Sequence, residues 1–268
     1  MVTSRQTDFS IMHAAAHGNS DLAANPHEPA TLTTMQETAI EALKTYQSGT
    51  DPKVLQPIEN EILSIHGDTA SSQALELRLV ELLRGDLPHA AKDAICRMLR
   101  TFGTSASVPV LATLLADERL SHMARYALER IPAPEAGRAM IDALPKVTGK
   151  NKIGIITSLG VRSEEQSVPV LASLLGDRDA AIARSAALAL GEHGSREAAK
   201  ALLAGRRPPE TLTCVADALV ACAENLVASG AREDATSIYR KLVDGGFPAS
   251  AASAAKNGLE KAAAGTGP

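Results

Sequence analysis

Aromatic side chains are almost absent from this chain of 268 residues, which contains no tryptophan, three phenylalanines and three tyrosines although 45% of its residues are hydrophobic. The apolar content is therefore mostly Ala, Leu, Val and Ile. These side chains favour closely packed helices over a β-sandwich. The composition therefore predicts an all-α protein. The length is sufficient for a sizeable core, either in one elongated unit or in two compact domains.

A surplus of positive charge is also missing, since 27 Lys and Arg residues stand against 31 Asp and Glu residues. A net charge of −4 argues against broad, non-specific nucleic-acid binding, which needs a basic field to displace counterions. The densest basic spots are Arg206-Arg207 and the segment from Lys150 to Lys152. We interpret both as solvated turn residues, and few aromatics leave few platforms for stacking bases. Nucleic acid is therefore not the expected partner.

Cysteine is scarce, with residues only at positions 96, 214 and 222. Cys214 and Cys222 fall on one predicted helix, roughly 12 Å apart along its axis. A disulfide needs Cα atoms within about 7 Å of each other. The sequence contains no CxxC pair, which argues against a zinc site. We therefore expect Cys96, Cys214 and Cys222 to behave as small core hydrophobes.

Long apolar runs are missing too: no stretch of about 18 apolar residues could cross a membrane, and the first thirty residues contain no apolar core of a secretory signal. We expect a soluble, cytoplasmic protein. Residues 1–30 are predicted to form a disordered leader and residues 264–268 a short tail. The chain could equally be a piece of a larger protein.

Motifs of catalysis and cofactor binding are absent from the sequence. Seven histidines occur, but none forms HExxH, and the only His-Glu dipeptide is His27-Glu28 in the predicted leader. The sequence contains no GxSxG, no GxGxxG and no GxxxxGK[ST]. We therefore expect no enzymatic activity, no metal and no cofactor.

One phrase occurs twice, as SVPVLATLLAD from Ser107 and as SVPVLASLLGD from Ser167. The copies begin 60 residues apart, which suits two helical hairpins and is too long for one. Internal repetition of this kind indicates a stack of similar units in which each unit contacts its neighbours.

Helix ends divide the 60-residue period in two. A hydrophobic residue followed by Gly or Pro recurs, with Gly103, Pro132, Gly160 and Gly191 at steps of 29, 28 and 31 residues. Glycine suits the left-handed position that ends a helix, and proline stops a helix by a different route. The pattern predicts one hairpin in every 28 to 31 residues.

Apolar residues recur at intervals of three and four within each half-period, as expected of helices that bury one face. A hairpin of this kind buries its apolar face only against neighbouring hairpins, so stacking is expected. The predicted fold is a right-handed α-solenoid of stacked antiparallel helical hairpins. The predicted helices span 33–47, 52–66, 71–84, 87–102, 107–116, 121–131, 134–144, 153–159, 167–175, 180–190, 195–203, 211–228, 232–243 and 248–263.

The repeats resemble HEAT repeats of the short bacterial kind, grouped with the phycobilin-lyase HEAT-like repeats, over residues 90–203. In that family an Asp lies in the turn within the hairpin and an Arg near the start of the second helix. Asp117 with Arg125, and Asp177 with Arg184, match this pattern. We interpret the Asp as a cap of the second helix and the Arg as a bridge between neighbouring hairpins; in the alternative interpretation, Arg125 and Arg184 lie on the inner surface and face a ligand.

The units between these two depart from the pattern. Ile153 occupies the aligned Arg position, with Lys152 beside it, and Cys96 replaces the Arg in the earlier unit. Only the generic repeat matches, so the resemblance implies a scaffold, and lyase activity is not carried over.

The C-terminal part is similar to one tetratricopeptide-type hairpin, and a cap of longer helices is an equally good interpretation. We divide the chain into a HEAT-like solenoid over residues 31–210 and a longer-helix C-terminal cap over 211–263. The tetratricopeptide likeness rests on residues 216–219, 223–226, 230, 234–235 and 238–239.

The predicted function is a non-catalytic scaffold or adaptor that binds a protein or peptide partner through the concave face of the solenoid, where second helices line a continuous surface. Alternatives are an accessory module that handles a chromophore or cofactor, a nucleic-acid-binding HEAT protein, and a structural module separated from a fusion partner. A mixed basic and polar groove would suit an acidic or extended peptide. The predicted partner-binding residues are His122, Arg125, Lys150, Asn151, Lys152 and Arg184.

Overall fold

The computed structural model describes residues 34–65, 68–205 and 208–264. The predicted leader, the Arg206-Arg207 pair and residues 265–268 of the predicted tail lie outside these ranges. Within them the protein contains α-helices and short 3-10 turns, and no strand. The helices are α1 (Thr34–Leu43), α2 (Gln56–Ser64), α3 (Thr69–Arg84), α4 (His89–Phe102), α5 (Val108–Thr113), α6 (Ser121–Leu128), α7 (Pro134–Ala143), α8 (Gly149–Arg162), α9 (Val168–Leu174), α10 (Ala180–His193), α11 (Arg196–Ala204), α12 (Leu212–Ala228), α13 (Arg232–Asp244) and α14 (Ala249–Ala264).

Consecutive helices pair into hairpins, from α1 with α2 to α13 with α14. The second helices α2, α4, α6, α8, α10, α12 and α14 each contact the next in order, and on the other side α3, α5 and α7 do the same, as do α9 and α11. This two-layer stack confirms the predicted all-α solenoid. The predicted domain boundary after residue 210 falls between the paired helices α11 and α12, and the division stays a prediction.

Aspartate and serine side chains start several helices by accepting hydrogen bonds from backbone N–H groups that the first turn leaves free. Asp51 accepts from the Lys53 N–H at 3.0 Å, with Pro52 at the first position of a 3-10 turn. Asp179 caps α10, and Ser195 caps α11.

Two glycines predicted to end helices lie inside them, so that prediction was wrong. Gly160 belongs to α8 and Gly191 to α10. The left-handed residues that follow these helices are Ser163, with φ 50°, and Gly194, with φ 65°. Gly103 does follow the last residue of α4, but with an ordinary φ of −60°. Gly160 and Gly191 instead lie against Ala189 and Ala218 of the neighbouring second helices.

The helix predicted to begin at residue 153 begins four residues earlier. Helix α8 begins at Gly149, whose φ of 53° joins it to the preceding loop. Lys150 therefore lies in the first turn of α8 and not in the loop before it.

A buried carboxylate on α3 holds the connection between α4 and α5. Glu76 is only 1% exposed. It accepts hydrogen bonds from the Thr104 N–H at 2.6 Å, the Thr104 hydroxyl at 2.9 Å and the Ser107 hydroxyl at 2.5 Å. A buried carboxylate needs such donors to offset the loss of its hydration. The loop between α4 and α5 is therefore fixed to the preceding hairpin, which contains Glu76.

Arg162, at the end of α8, ties two successive hairpins together. Its side chain is 6% exposed and forms an ion pair with Glu164. Its guanidinium also donates to the carbonyls of Ile131 at 2.7 Å and Ala133 at 3.0 Å, which lie between α6 and α7. The planar fork of an arginine can serve several acceptors at once, which suits it to join two connections.

Cys96 and Cys222 are buried, as predicted, whereas Cys214 is only half-buried, and all three are free thiols. Burial raises the pKa of Cys96 and of Cys222 to about 12. The prediction of small core hydrophobes thus holds for two of the three cysteines.

The segment Pro209–Ala228, which contains α12, is long and apolar enough to cross a membrane by length and composition alone. It was not recognised in the sequence as an apolar run. The helix contacts α10, α11, α13 and α14, and it buries Val215, Leu219 and Leu226 in the core. A core helix of a helical stack satisfies the same composition test.

Candidate partner-binding face

Exposed apolar side chains are concentrated on one layer of the stack. Among the described residues, six large hydrophobic side chains are exposed, and four of them lie on second helices. We call the exposed surface of the second helices from α2 to α12 the second-helix face. Its exposed hydrophobic side chains are Leu63 on α2, Tyr126 on α6, Val161 on α8 and Leu188 on α10.

The contact between α8 and α10 determines which way Val161 and Leu188 point. A Cβ atom on Gly160 would lie 2.8 Å from the Cα of Ala189, so these two residues face each other. The helices run in the same direction, and successive side chains rotate by about 100° around an axis. The residue after Gly160 and the residue before Ala189 therefore point to the same side. Val161 and Leu188, 54% and 58% exposed, form an apolar pair there.

The next contact repeats this geometry with charged side chains. A Cβ atom on Gly191 would lie 2.9 Å from the Cα of Ala218. The sulfur-to-carbonyl contacts of Cys214 and Cys222 to α10 follow increasing residue numbers on both helices, so α10 and α12 are parallel. By the same rotation, the exposed residues Glu192 and Asp217 share one side. An acidic pair thus follows the apolar pair.

At the other end, α4 and α6 present a basic and aromatic cluster. The Arg100 guanidinium lies over the Tyr126 ring, with Cζ 4.1 Å from the ring centroid. The ring of His122 stacks on Tyr126, with centroids 6.4 Å apart. A cation on the face of a tyrosine is attracted by the ring electrons, which holds both side chains in place.

Arg125, one of the predicted partner-binding residues, joins two hairpins within the chain. Its Nη1 donates to the Gly154 carbonyl at 3.0 Å and to the Ser158 hydroxyl at 3.1 Å, both on α8. The Ser158 hydroxyl in turn donates to Glu129 at 2.6 Å. Burial lowers the pKa of Arg125, and the Glu129 carboxylate opposes that shift. These contacts are the bridge between neighbouring hairpins that we expected of Arg125.

The three predicted residues at the start of α8 differ in their surroundings. Lys152 forms an ion pair with Asp177 at 3.6 Å. Asn151 donates to the backbone carbonyl of Asp117 at 3.4 Å. Lys150 is exposed. Lys152 thus supplies a cation to the turn aspartate of the next hairpin, beside the position where the family pattern has an arginine.

Neither turn aspartate caps a second helix through its side chain, so that expectation was wrong. Asp117 accepts from the N–H groups of Arg119 and Leu120, each at 2.8 Å. The Leu120 hydrogen bond is the main cause that lowers the pKa of Asp117, and nearby His89 and Arg119 charges add to it. Asp177 instead accepts from the Asp179 N–H at 2.9 Å, and Asp179 caps α10.

The predicted residues therefore occupy two environments. His122, Lys150 and Arg184 are exposed, whereas Arg125, Asn151 and Lys152 are partly buried in contacts between hairpins. Sequence reasoning did not identify Tyr126, Val161 or Leu188. The sequence feature that could have identified them is that each is an apolar residue outside the three-and-four spacing of the buried residues of its helix. Among the described residues, no group of three or more His, Cys, Asp and Glu side chains is placed to hold a metal ion.

The geometry defines the class of this chain as an α-solenoid of helical hairpins with a mixed apolar and charged face. Residues 149–221, from α8 into α12, match the family model of HEAT repeats. No curated protein matches the chain. The crystal structure of an engineered protein is 21% identical, covering 84% of this chain and 97% of its own, with a TM-score of 0.35. That similarity does not extend the HEAT assignment beyond residues 149–221.

Proposed function

We infer that the protein is a non-catalytic scaffold or adaptor that holds a protein or peptide partner on the second-helix face. The observation that supports this most directly is the position of Tyr126, Val161 and Leu188 on the successive second helices α6, α8 and α10. Exposed apolar side chains that form a continuous patch mark interaction sites more often than scattered ones do. Stacked repeats provide such a continuous surface.

Two more specific resemblances suggested by the sequence are compatible with this proposal. A repeat of the bacterial phycobilin-lyase type and a tetratricopeptide-like hairpin at α12 and α13 would both belong to scaffolds built from helical pairs. Such a scaffold acts in the cytoplasm in our proposal. Its exposed predicted residues His122, Lys150 and Arg184 would contact the partner's polar groups.

A pair of leucines allows a matched test of the face. Leu188 on the second helix α10 is 58% exposed, and Leu77 on the first helix α3 is 59% exposed. A photo-crosslinking amino acid placed at each position, in extract from the source cells, should capture a discrete partner from position 188 and none from position 77. Equal capture at both positions, or capture at position 77 alone, would contradict the proposal.

A further inference from the structure

The second-helix face changes its charge along the stack. At α4 and α6 it presents Arg100 on the Tyr126 ring, and Arg97 stands one turn earlier on α4, paired with Asp93 at 3.2 Å. At α8 and α10 it presents the apolar pair Val161 and Leu188. At α10 and α12 it presents the exposed carboxylates of Glu192 and Asp217.

The acidic end consists of exposed carboxylates on two neighbouring helices. Glu192 and Asp217 share one side of the α10–α12 contact, and Glu224 lies about two turns further along α12. Two cations lie near this group: Arg184, near Cys214 at the beginning of α12, and Lys261 on α14, which lines a cavity together with Glu224. Three carboxylates against these two cations leave this end negative.

We propose that the partner is an extended peptide segment with acidic residues at one end, apolar residues in the middle and basic residues at the other end. The proposal rests on the proposed function and adds the chemistry and the polarity of the ligand. Carboxylates would meet Arg100, apolar side chains would cover Val161 and Leu188, and Lys or Arg would meet Asp217. Complementary charges of this kind fix the register of a ligand and exclude wrong partners.

The chemistry at the basic end suits a carboxylate. The Tyr126 ring covers one face of the half-buried Arg100 guanidinium, and the Arg100 Nε is buried without a hydrogen-bond partner among the described residues, so an incoming acceptor would meet the two Nη atoms. Arginine binds a carboxylate through two parallel hydrogen bonds. Among the described residues, Arg100 forms no ion pair, so the carboxylate would come from outside the chain.

The width of the face favours an extended chain over a second copy of the protein. The apolar side chains stand in single file, one on each helix from α6 to α10, whereas a stable dimer buries about 1,200–2,000 Å² in total. Helix axes in contact lie about 8–10 Å apart. Three such steps separate the α4–α6 contact from the α10–α12 contact, or about 24–30 Å. An extended peptide covers that distance with about seven to nine residues.

A random nine-residue peptide library, displayed on phage and selected on the full chain, tests the proposal. We expect enriched sequences to have acidic, apolar and basic residues in that order along the peptide, or in the reverse order. The best peptide should lose about tenfold in affinity with Arg100→Glu and with Asp217→Lys, because each change places like charges together. The matched controls Arg138→Glu and Glu135→Lys, on the first helix α7, should leave the affinity unchanged.

The most discriminating experiment combines the two charge reversals, Arg100→Glu and Asp217→Lys, in one protein. A peptide with its acidic and basic ends exchanged should bind the Arg100→Glu/Asp217→Lys double variant and bind wild type at least tenfold more weakly. Enrichment of peptides without charge order, or of no peptide at all, overturns the proposal. So does light scattering that shows a dimer which Leu188→Asp dissociates, since a second copy would then occupy the face.

Failure of the proposed peptide polarity can be distinguished from failure of the proposed scaffold function. If position 188 captures a partner but the charge reversals leave peptide affinity unchanged, the polarity is wrong and the scaffold function stands. If position 188 captures nothing and no peptide is enriched, both fail.

Discussion

Gly160 on α8 and Ala189 on α10 pack backbone to backbone, since a Cβ atom on Gly160 would lie 2.8 Å from the Cα of Ala189 and 2.9 Å from its Cβ. Gly191 and Ala218 repeat this relationship one helix further along the stack. These contacts bring three second helices close together. They also place the residues beside them, Val161 and Leu188 first of all, on a common outer surface.

We expect Gly160→Ala to destabilise the protein although alanine favours helix by about 1 kcal/mol over glycine. The added methyl group would meet the backbone of α10, and overpacking of this kind costs about 1–3 kcal/mol. Urea unfolding should therefore show a net loss of stability. Thr157→Ala, at an exposed position one turn earlier on the same helix, is the control and should cause no loss. A Gly160→Ala protein as stable as wild type would show that α8 and α10 can separate freely.

Arg125→Glu and Arg184→Glu should differ in their effects. Arg125 donates to α8 from a half-buried position, so its replacement leaves acceptors between hairpins unsatisfied and places a carboxylate near Glu129. We expect a loss of about 2–4 kcal/mol by urea unfolding. Arg184→Glu, at an exposed position, should leave the melting temperature within a degree or two of wild type. A stable Arg125→Glu protein that fails to capture a partner would instead assign Arg125 to the binding face.

Glu76→Ala should be among the more damaging changes in the first half of the stack. It leaves the Thr104 N–H and the Ser107 hydroxyl without their buried acceptor. Unsatisfied buried donors cost about 1–3 kcal/mol each. The control is Glu81→Ala on the same helix, whose carboxylate pairs with Arg78 at 71% exposure and should contribute little. Similar unfolding midpoints for the two variants would contradict the role given to Glu76.

Alkaline pH should weaken the fold through two buried thiols. Burial raises the pKa of Cys96 and Cys222 from the ordinary 9.0 to about 12. Above pH 9 the unfolded chain therefore releases protons that the folded chain retains, so stability falls as pH rises from about 9 towards 12. Relative to Cys96→Ala/Cys222→Ala, wild type should lose more stability between about pH 8 and pH 10.5. A difference that stays constant over this range would show that the thiols ionise equally in both states.

The periodicity of the sequence was sufficient to predict the fold. The doubled phrase at Ser107 and Ser167 and the recurrence of apolar residues predicted a stack of hairpins, because a helix with one apolar face must bury it against a neighbour. The same patterns misassigned Gly160 and Gly191. A glycine at a helix end and a glycine at a close helix crossing have the same neighbours in sequence, and only the packing distinguishes them.

The candidate site was less accessible to prediction. Basic and polar residues near the starts of second helices were named, and the structure places Arg125 and Lys152 in contacts within the chain. Charge and position in a helix do not reveal whether a side chain meets solvent or a neighbouring hairpin. That depends on the rotation of each helix about its axis.

The sequence by itself determined the helical class, the repeat length and the stacking of hairpins, since these follow from local propensity and from the spacing of apolar side chains. Only the tertiary structure decided which side chains remain on the surface of the second helices. Gly160 against Ala189 and Gly191 against Ala218 fix the relative rotation of α8, α10 and α12. Through that rotation Val161, Leu188 and Asp217 face outward, because backbone contact allows only one orientation of each helix against the next.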